Sequence, residues 1–194
     1  LERACETTDR LPTLPTLAMR AWELGLSGQP PDDLLRIDPT LAAVVLSSAT
    51  ALSMRGGGLP VSTLEDALAR LDPETMRLLL LGARPIEPPA STPGAPFDWG
   101  HCTARFRINV ATALVAERLA MRFGVNPSIA HLTGLVNDVG HLLLITELGH
   151  TTAPEPPEDL DGEAMLAGER ARFGLDHATL GFRLLAKWRF SNGI

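Results

Sequence analysis

Residues Asn126 to Leu148 read NPSIAHLTGLVNDVGHLLLITEL. Asn126-Pro127 is a helix-opening pair: the amide side chain accepts hydrogen bonds from backbone N–H groups of the first turn, and proline at the next position has no donor to lose. From Ser128 to Leu148 the stretch predicts a single helix that is apolar nearly all round, as expected of a helix buried in a bundle. Inside it stands Asp138. A carboxylate among leucines and valines is costly unless it is paired, hydrogen-bonded or bound to a metal. This stretch therefore sets both the fold and the place where chemistry would sit.

The same punctuation recurs outward along the chain. Asp38-Pro39 opens Thr40 to Ala51, and Asp72-Pro73 precedes Glu74 to Leu81. Ser62 and Glu65 have the spacing of a capping box before Ala67, Leu68 and Leu71. Phe97 to Phe123 predicts a long helix with Asp98 as its cap and an apolar stripe through Phe106, Val110, Ala113 and Leu114. Glu163 to Phe173 and Ala178 to Phe190 complete the set, divided at Gly174. Alternating strand patterns are absent, so the chain reads as all-α, a multi-helix bundle. Arg84 to Pro96, with five prolines, is a connector, and so is Thr151 to Asp161 with three. The expected layout is a single domain over 11–194: a helical half over 11–82, a proline-rich connector over 83–96, and a second helical half over 97–194. The halves are too small to fold alone and are expected to pack on each other.

Composition narrows the function. With 17 basic against 23 acidic side chains the net charge is −6, which offers no general attraction to nucleic acid. Two cysteines, Cys5 and Cys102, cannot build a disulfide framework and fit a reducing compartment. Stretches such as Leu78 to Ala83 and Leu142 to Ile145 fall far short of the roughly 20 apolar residues of a spanning helix, so no membrane partner is expected. Leu1 is not methionine, and both ends read as cut from a longer cytoplasmic protein. Gly56-Gly57-Gly58 lacks the following Lys-Ser/Thr of a phosphate loop and reads as a connector between helices.

Around Asp138 the candidate side chains are few. His141 stands three residues on and can share its face, and Asn137 can meet His141 four residues on. His131 is seven residues away, about 10 Å along a helix, too far to share an ion with Asp138. Any metal would need ligands from other helices, with His101 and His177 as candidates. The plainer reading has Asp138 paired with a neighbouring group. On the long helix Arg118 and Arg122 share a face and could take an anionic ligand such as a cyclic dinucleotide, although a solvated face is the plainer account. Trp22, Trp99 and Trp188 are expected in the core, with Trp99 also able to seal the junction of the halves.

Taken in order, these segments resemble the HDOD domain, a bacterial signalling module related to the HD superfamily of metal-dependent phosphohydrolases. Leu11-Pro12-Thr13-Leu14-Pro15 is similar to the family's opening Leu-Pro-x-Leu-Pro, and Asp38-Pro39-Thr40-Leu41 to its Asp-Pro-x-Leu helix. Val61 to Ala67 follows its Ile-x-Ser-Ile-x-x-Ala pattern, and Phe97 to His101 its Phe-Trp-x-His start. Gly134 to Gly140 is similar to Gly-Leu-Leu-His-Asp-Ile-Gly, and Glu169 to His177 to Glu-Arg-x-x-x-Gly-x-x-His, with Trp188 as the late tryptophan. The resemblance spans nearly the whole chain and implies an HD-derived bundle.

The departures from a working HD enzyme point the other way from catalysis. Where its His-Asp doublet belongs, this chain has Asn137-Asp138, and a neutral amide is a poor transition-metal ligand beside imidazole. His141 stands where such enzymes often carry lysine, and Phe190-Ser191 where the family has Leu-Pro. The late histidines and final aspartate of active relatives have no counterpart. Residue-by-residue carry-over leaves His101, Asp138 and His177, with Asn137 and His141 as remnants of the site, so no cofactor and no metal are expected. The resemblance implies a non-catalytic output or regulatory domain that meets protein partners or fused signalling domains. A small-ligand sensor using the old cleft is the alternative, ahead of a surviving phosphohydrolase.

Overall fold

The computed structural model describes residues 11–87, 97–148 and 162–190. Within them the chain is helical, as expected, and the one β contact is an isolated bridge between Thr13 and Pro85. The helices are α1 (Pro15–Ser27), α2 (Asp32–Leu35), α3 (Pro39–Arg55), α4 (Leu64–Arg70), α5 (Pro73–Leu81), α6 (Trp99–Phe123), α7 (Pro127–Val136), α8 (Val139–Leu148), α9 (Gly162–Phe173) and α10 (His177–Lys187).

The predicted caps form where the sequence put them. Asp38 accepts from the amides of Thr40 and Leu41, Asp72 from Thr75, Asp98 from His101, and Asn126 from Ser128 and Ile129. One cap moves. Thr63, not Ser62, takes the amide of Asp66 and starts α4 at Leu64, because its hydroxyl has the three-residue spacing onto that amide. The caps do more than end helices. Asp38 is fully buried and also accepts from the hydroxyls of Thr13 and Thr40, so the Leu-Pro-Thr-Leu-Pro opening is fastened to the start of α3. Thr13 in turn exchanges backbone hydrogen bonds with Arg84 and Ile86 (both 2.8 Å), tying the beginning of the connector to the beginning of the domain.

The Asn126–Leu148 stretch is two helices rather than the single one predicted. It turns at Asn137 and Asp138, where the carbonyl of Asp138 starts α8 by accepting from His141 and Leu142. Asn and Asp favour such boundaries because their short polar side chains compete with the helical backbone. By length and composition Pro127–Thr146 could cross a membrane, which the shorter apolar runs counted from the sequence did not suggest. However, 67% of that window is buried in the bundle, as in a core helix.

α6 packs along α7, α10 along α8, α1 along α5 and α4 along α3, while α3 also touches α6 and α7. One core cluster accordingly runs from Leu35, Leu46 and Leu80 to Leu132, Leu135, Leu143 and Leu184. Arg36, at the end of α2, donates from Nη2 to both carboxylate oxygens of Glu117 on α6 at 2.7 and 2.9 Å, and Glu117 also meets His131 Nδ1 at 2.8 Å. Glu117, which reads in sequence as one charge among arginines, is therefore an anchor between the halves. Trp188 is buried and Trp22 half-buried with its indole N–H on the carbonyl of Ala83. Trp99 is 39% exposed, against expectation, with its edge on Phe97. Cys5, the Thr151–Asp161 loop and the rest of the proline connector lie outside the described residues.

Candidate functional site

Close backbone approach brings the candidate residues together. Gly140, in the first turn of α8, faces the start of α10: a Cβ there would fall on the carbonyl oxygen of His177 and the amide nitrogen of Gly181. Gly134 does the same one helix earlier, where a Cβ would lie 2.7 Å from the Cα of Ala113 on α6. The two glycines of the Gly-Leu-Val-Asn-Asp-Val-Gly run thus let α6, α7, α8 and α10 close around Asp138.

His177 is held from behind. Both oxygens of Glu169, a buried carboxylate on α9, lie on its Nδ1 at 2.8 and 3.0 Å, and Glu169 also accepts its backbone N–H at 2.7 Å. This turns Nε2 toward Asp138 Oδ1, 4.0 Å away. The other oxygen of Asp138 faces Arg105 Nη1 at 3.5 Å. His141 is 7% exposed, with its ring 5.3 Å from that of His177 and 5.8 Å from that of His101. Its Nδ1 meets no hydrogen-bond partner among the described residues.

The electrostatics divide the two histidines. The hydrogen bond that His177 donates to Glu169 raises the pKa of His177, helped by the carboxylate charges of Glu169 and Asp138. Burial pushes His141 down to about 3, with Arg105 and the neighbouring histidines adding to the effect, so its imidazole is neutral at physiological pH. Burial also raises Asp138, outweighing the pull of His177 and Arg105. Cys102, buried on α6, is pushed up to about 11, again chiefly by burial, and is no nucleophile.

The geometry alters the sequence-derived ligand set. Asp138, His141 and His177 offer ligand atoms all within 4.8 Å of one another; His141 takes the place in the trio that carry-over gave to His101, whose ring stands beside it. Asn137 is exposed at the turn. The trio fits a single transition-metal ion, with Glu169 as the carboxylate orienting a histidine ligand. Such an ion would supply Lewis acidity. The trio does not fit a bridged pair of cations, since Asp138 is its one carboxylate and Glu169 is committed to His177. Arg118 and Arg122 do share an exposed face, but they lie roughly 20 and 25 Å from Arg105 along the helix axis and form no part of this cluster. Sequence reading took Arg105 as one of the arginines crowding the long helix, not as a partner of Asp138, and Glu169 only as a letter in a motif.

An all-helical bundle with an Asp-Val-Gly turn at its centre, ringed by histidines from neighbouring helices, is the arrangement that the resemblance to the HD superfamily implies. The HDOD domain profile matches residues 11–194, and the chain belongs to that family. Among solved structures it is similar to the response regulator MmoQ of Methylococcus capsulatus. The two are 29% identical with a TM-score of 0.72, over 94% of this chain and 72% of that one. A fragment of the same regulator gives 28% identity and a TM-score of 0.68, over 94% and 70%. None of the curated proteins matches the chain in sequence.

Proposed function

We propose that this HDOD domain is a non-catalytic regulatory or output module of bacterial signal transduction, working in the cytoplasm by binding protein partners. The observation that carries the reading is the pairing at Asp138. Its carboxylate faces Arg105 on one oxygen and His177 on the other, so the buried group is met by the protein's own side chains. A hydrolytic centre instead needs several anionic or imidazole ligands and an open coordination position for the attacking water. The fold then persists because Leu135, Val139, Leu142 and Leu143 fill the bundle's interior, leaving its outer faces for partners. The similarity to a response regulator supports the signalling setting.

The test is elemental analysis of the purified protein beside a phosphodiesterase assay with cyclic dinucleotides and nucleotides. The expected result is no turnover. A stoichiometric transition metal accompanied by turnover that is lost in both Asp138→Ala and His141→Ala overturns the reading.

A further inference from the structure

The solvent face of α6 has an unusual make-up. Helix α6 carries one acidic residue, Glu117, and that side chain is turned inward onto Arg36 and His131. The exposed face is left with Arg107, Arg118 and Arg122 and no carboxylate. Among the described residues none of the three makes an ion pair or a side-chain hydrogen bond, in a protein whose net charge is −6. At 3.6 residues per turn the three arginines fall along the middle of that face. Leu114 and Met121 flank them on one side, 48% and 69% exposed. Ile108, Val115 and Leu119 flank them on the other, between 46% and 57% exposed. An ordinary solvated helix face mixes charges of both signs and keeps large apolar side chains scattered.

We infer that this face of α6 is a docking surface for an acidic amphipathic helix of a partner protein. The inference rests on the reading of the domain as a partner-binding module and specifies the partner's chemistry. The partner helix would lay leucine-like side chains against the two apolar flanks and set carboxylates over the arginine row, as helix-in-groove partners place anchors at i, i+3, i+4 and i+7. Guanidinium forks suit carboxylates in such a seam because they bind them bidentately. A second copy of the chain fits less well, since antiparallel pairing of two α6 helices would set arginine against arginine. An anionic membrane also fits less well. A helix lying in a bilayer interface needs its apolar residues central and its cations at the edges, and here the order is reversed.

The probe is a synthetic helix of about sixteen residues built from leucine, alanine and glutamate, with its glutamates central on the apolar face. Its control has lysine in place of glutamate. Binding is read by fluorescence anisotropy at low and high salt. The expected result is micromolar binding of the acidic peptide that weakens with salt, with none by the lysine peptide. The triple variant Arg107→Glu, Arg118→Glu, Arg122→Glu should bind at least tenfold more weakly while keeping the wild-type circular dichroism. Leu114→Ala with Val115→Ala, which keeps the charge, should weaken binding by a smaller factor. No binding of the acidic peptide, or equal binding by the triple variant, overturns the proposal. So does arginine-dependent binding to phosphatidylserine vesicles, or arginine-dependent self-association in sedimentation, without peptide binding. Failure here with no phosphodiesterase turnover removes the α6 site alone, whereas turnover refutes the non-catalytic reading whatever the peptide does.

Discussion

Three glycine-to-alanine substitutions, at 140, 181 and 168, test how the site is assembled, because the same added methyl meets three different surroundings. At Gly140 it would collide with the backbone of α10. The carbonyl carbon of His177 would lie 2.9 Å from the new Cβ, with that residue's carbonyl oxygen and the Gly181 amide nitrogen closer still. Carbon atoms rest at about 3.5–4.0 Å, so the start of α10 must withdraw by roughly 1 Å. Overpacking of this kind costs about 1–3 kcal/mol. The upper end applies because the obstacle is backbone rather than a side chain that can rotate away. The displacement also moves His177, widening its 4.0 Å approach to Asp138. At Gly181 the added methyl would lie 3.4 Å from the Gly140 nitrogen and 3.7 Å from its Cα, which is ordinary contact. At Gly168, inside α9, nothing lies within 4 Å, and alanine gains about 0.5–1 kcal/mol by helix propensity.

The series should therefore run from a loss of about 3 kcal/mol for Gly140→Ala to gains for Gly181→Ala and Gly168→Ala, the smaller at Gly181, where the methyl meets the Gly140 backbone. Urea denaturation with a common slope gives all three from their midpoints. None of these glycines has positive φ, so backbone strain does not confound the comparison. If Gly140→Ala unfolds within about 1 kcal/mol of the wild type, less than the usual overpacking cost, the helices do not close on Gly140 as described and the argument for the cluster's geometry fails with it.

The two histidines predict a stability optimum. His177 has its folded pKa raised, so its contribution is present below the unfolded value of about 6.5 and is lost as pH rises through the folded value. His141 is depressed to about 3, so the unfolded chain takes up its proton first and stability falls as pH drops below 6.5. Together they give a maximum near pH 6.5 in urea midpoints between pH 5.5 and 8. Glu169→Gln should flatten the alkaline limb, and His141→Gln the acidic one; a His141→Gln protein that keeps the full acidic loss contradicts the assignment. Two caps with different burial form a second pair. Asp38→Ala should cost about 3 kcal/mol, a lost cap plus the stranded Thr13 hydroxyl, whereas Asp72→Ala should cost about 1 kcal/mol because its cap is exposed. Equal losses in chemical denaturation would show that burial at Asp38 contributes nothing.

What could be read from sequence alone was the local part of this. A cap such as Asp38-Pro39 or Asn126-Pro127 acts on amides two or three residues away, so its evidence lies within a few letters. The partners of Asp138 do not. Arg105 is 33 residues earlier, and Glu169 reaches the site only by holding His177 across the α9–α10 turn. Each reads as an ordinary helix charge until the helices are packed. The choice between His101 and His141 was illegible for the same reason: the trio forms because Gly140 lets α10 come close, and a glycine letter does not say what approaches it. Trp99 failed the core expectation because a tryptophan at a helix start can lean on one neighbour, Phe97, and leave its other face in water.

On the proposed non-catalytic reading, the charges at the centre of the bundle explain how such a site can persist. Asp138 and Glu169 bring two carboxylates into a mostly buried region, a cost of several kcal/mol if left unmatched. Arg105 answers them with a positive group, and Glu169 beside His177 favours that imidazole's protonated form. His141, neutral beside them, adds no further charge. A balanced cluster of this kind fastens α6, α8, α9 and α10 to one another by directional contacts, which apolar packing alone does not provide. On the proposed reading its residues are retained for that fastening. Within this cluster Arg105→Ala, which strands Asp138, should then lower the urea midpoint more than Asp138→Ala, which removes the buried carboxylate together with its need for a partner.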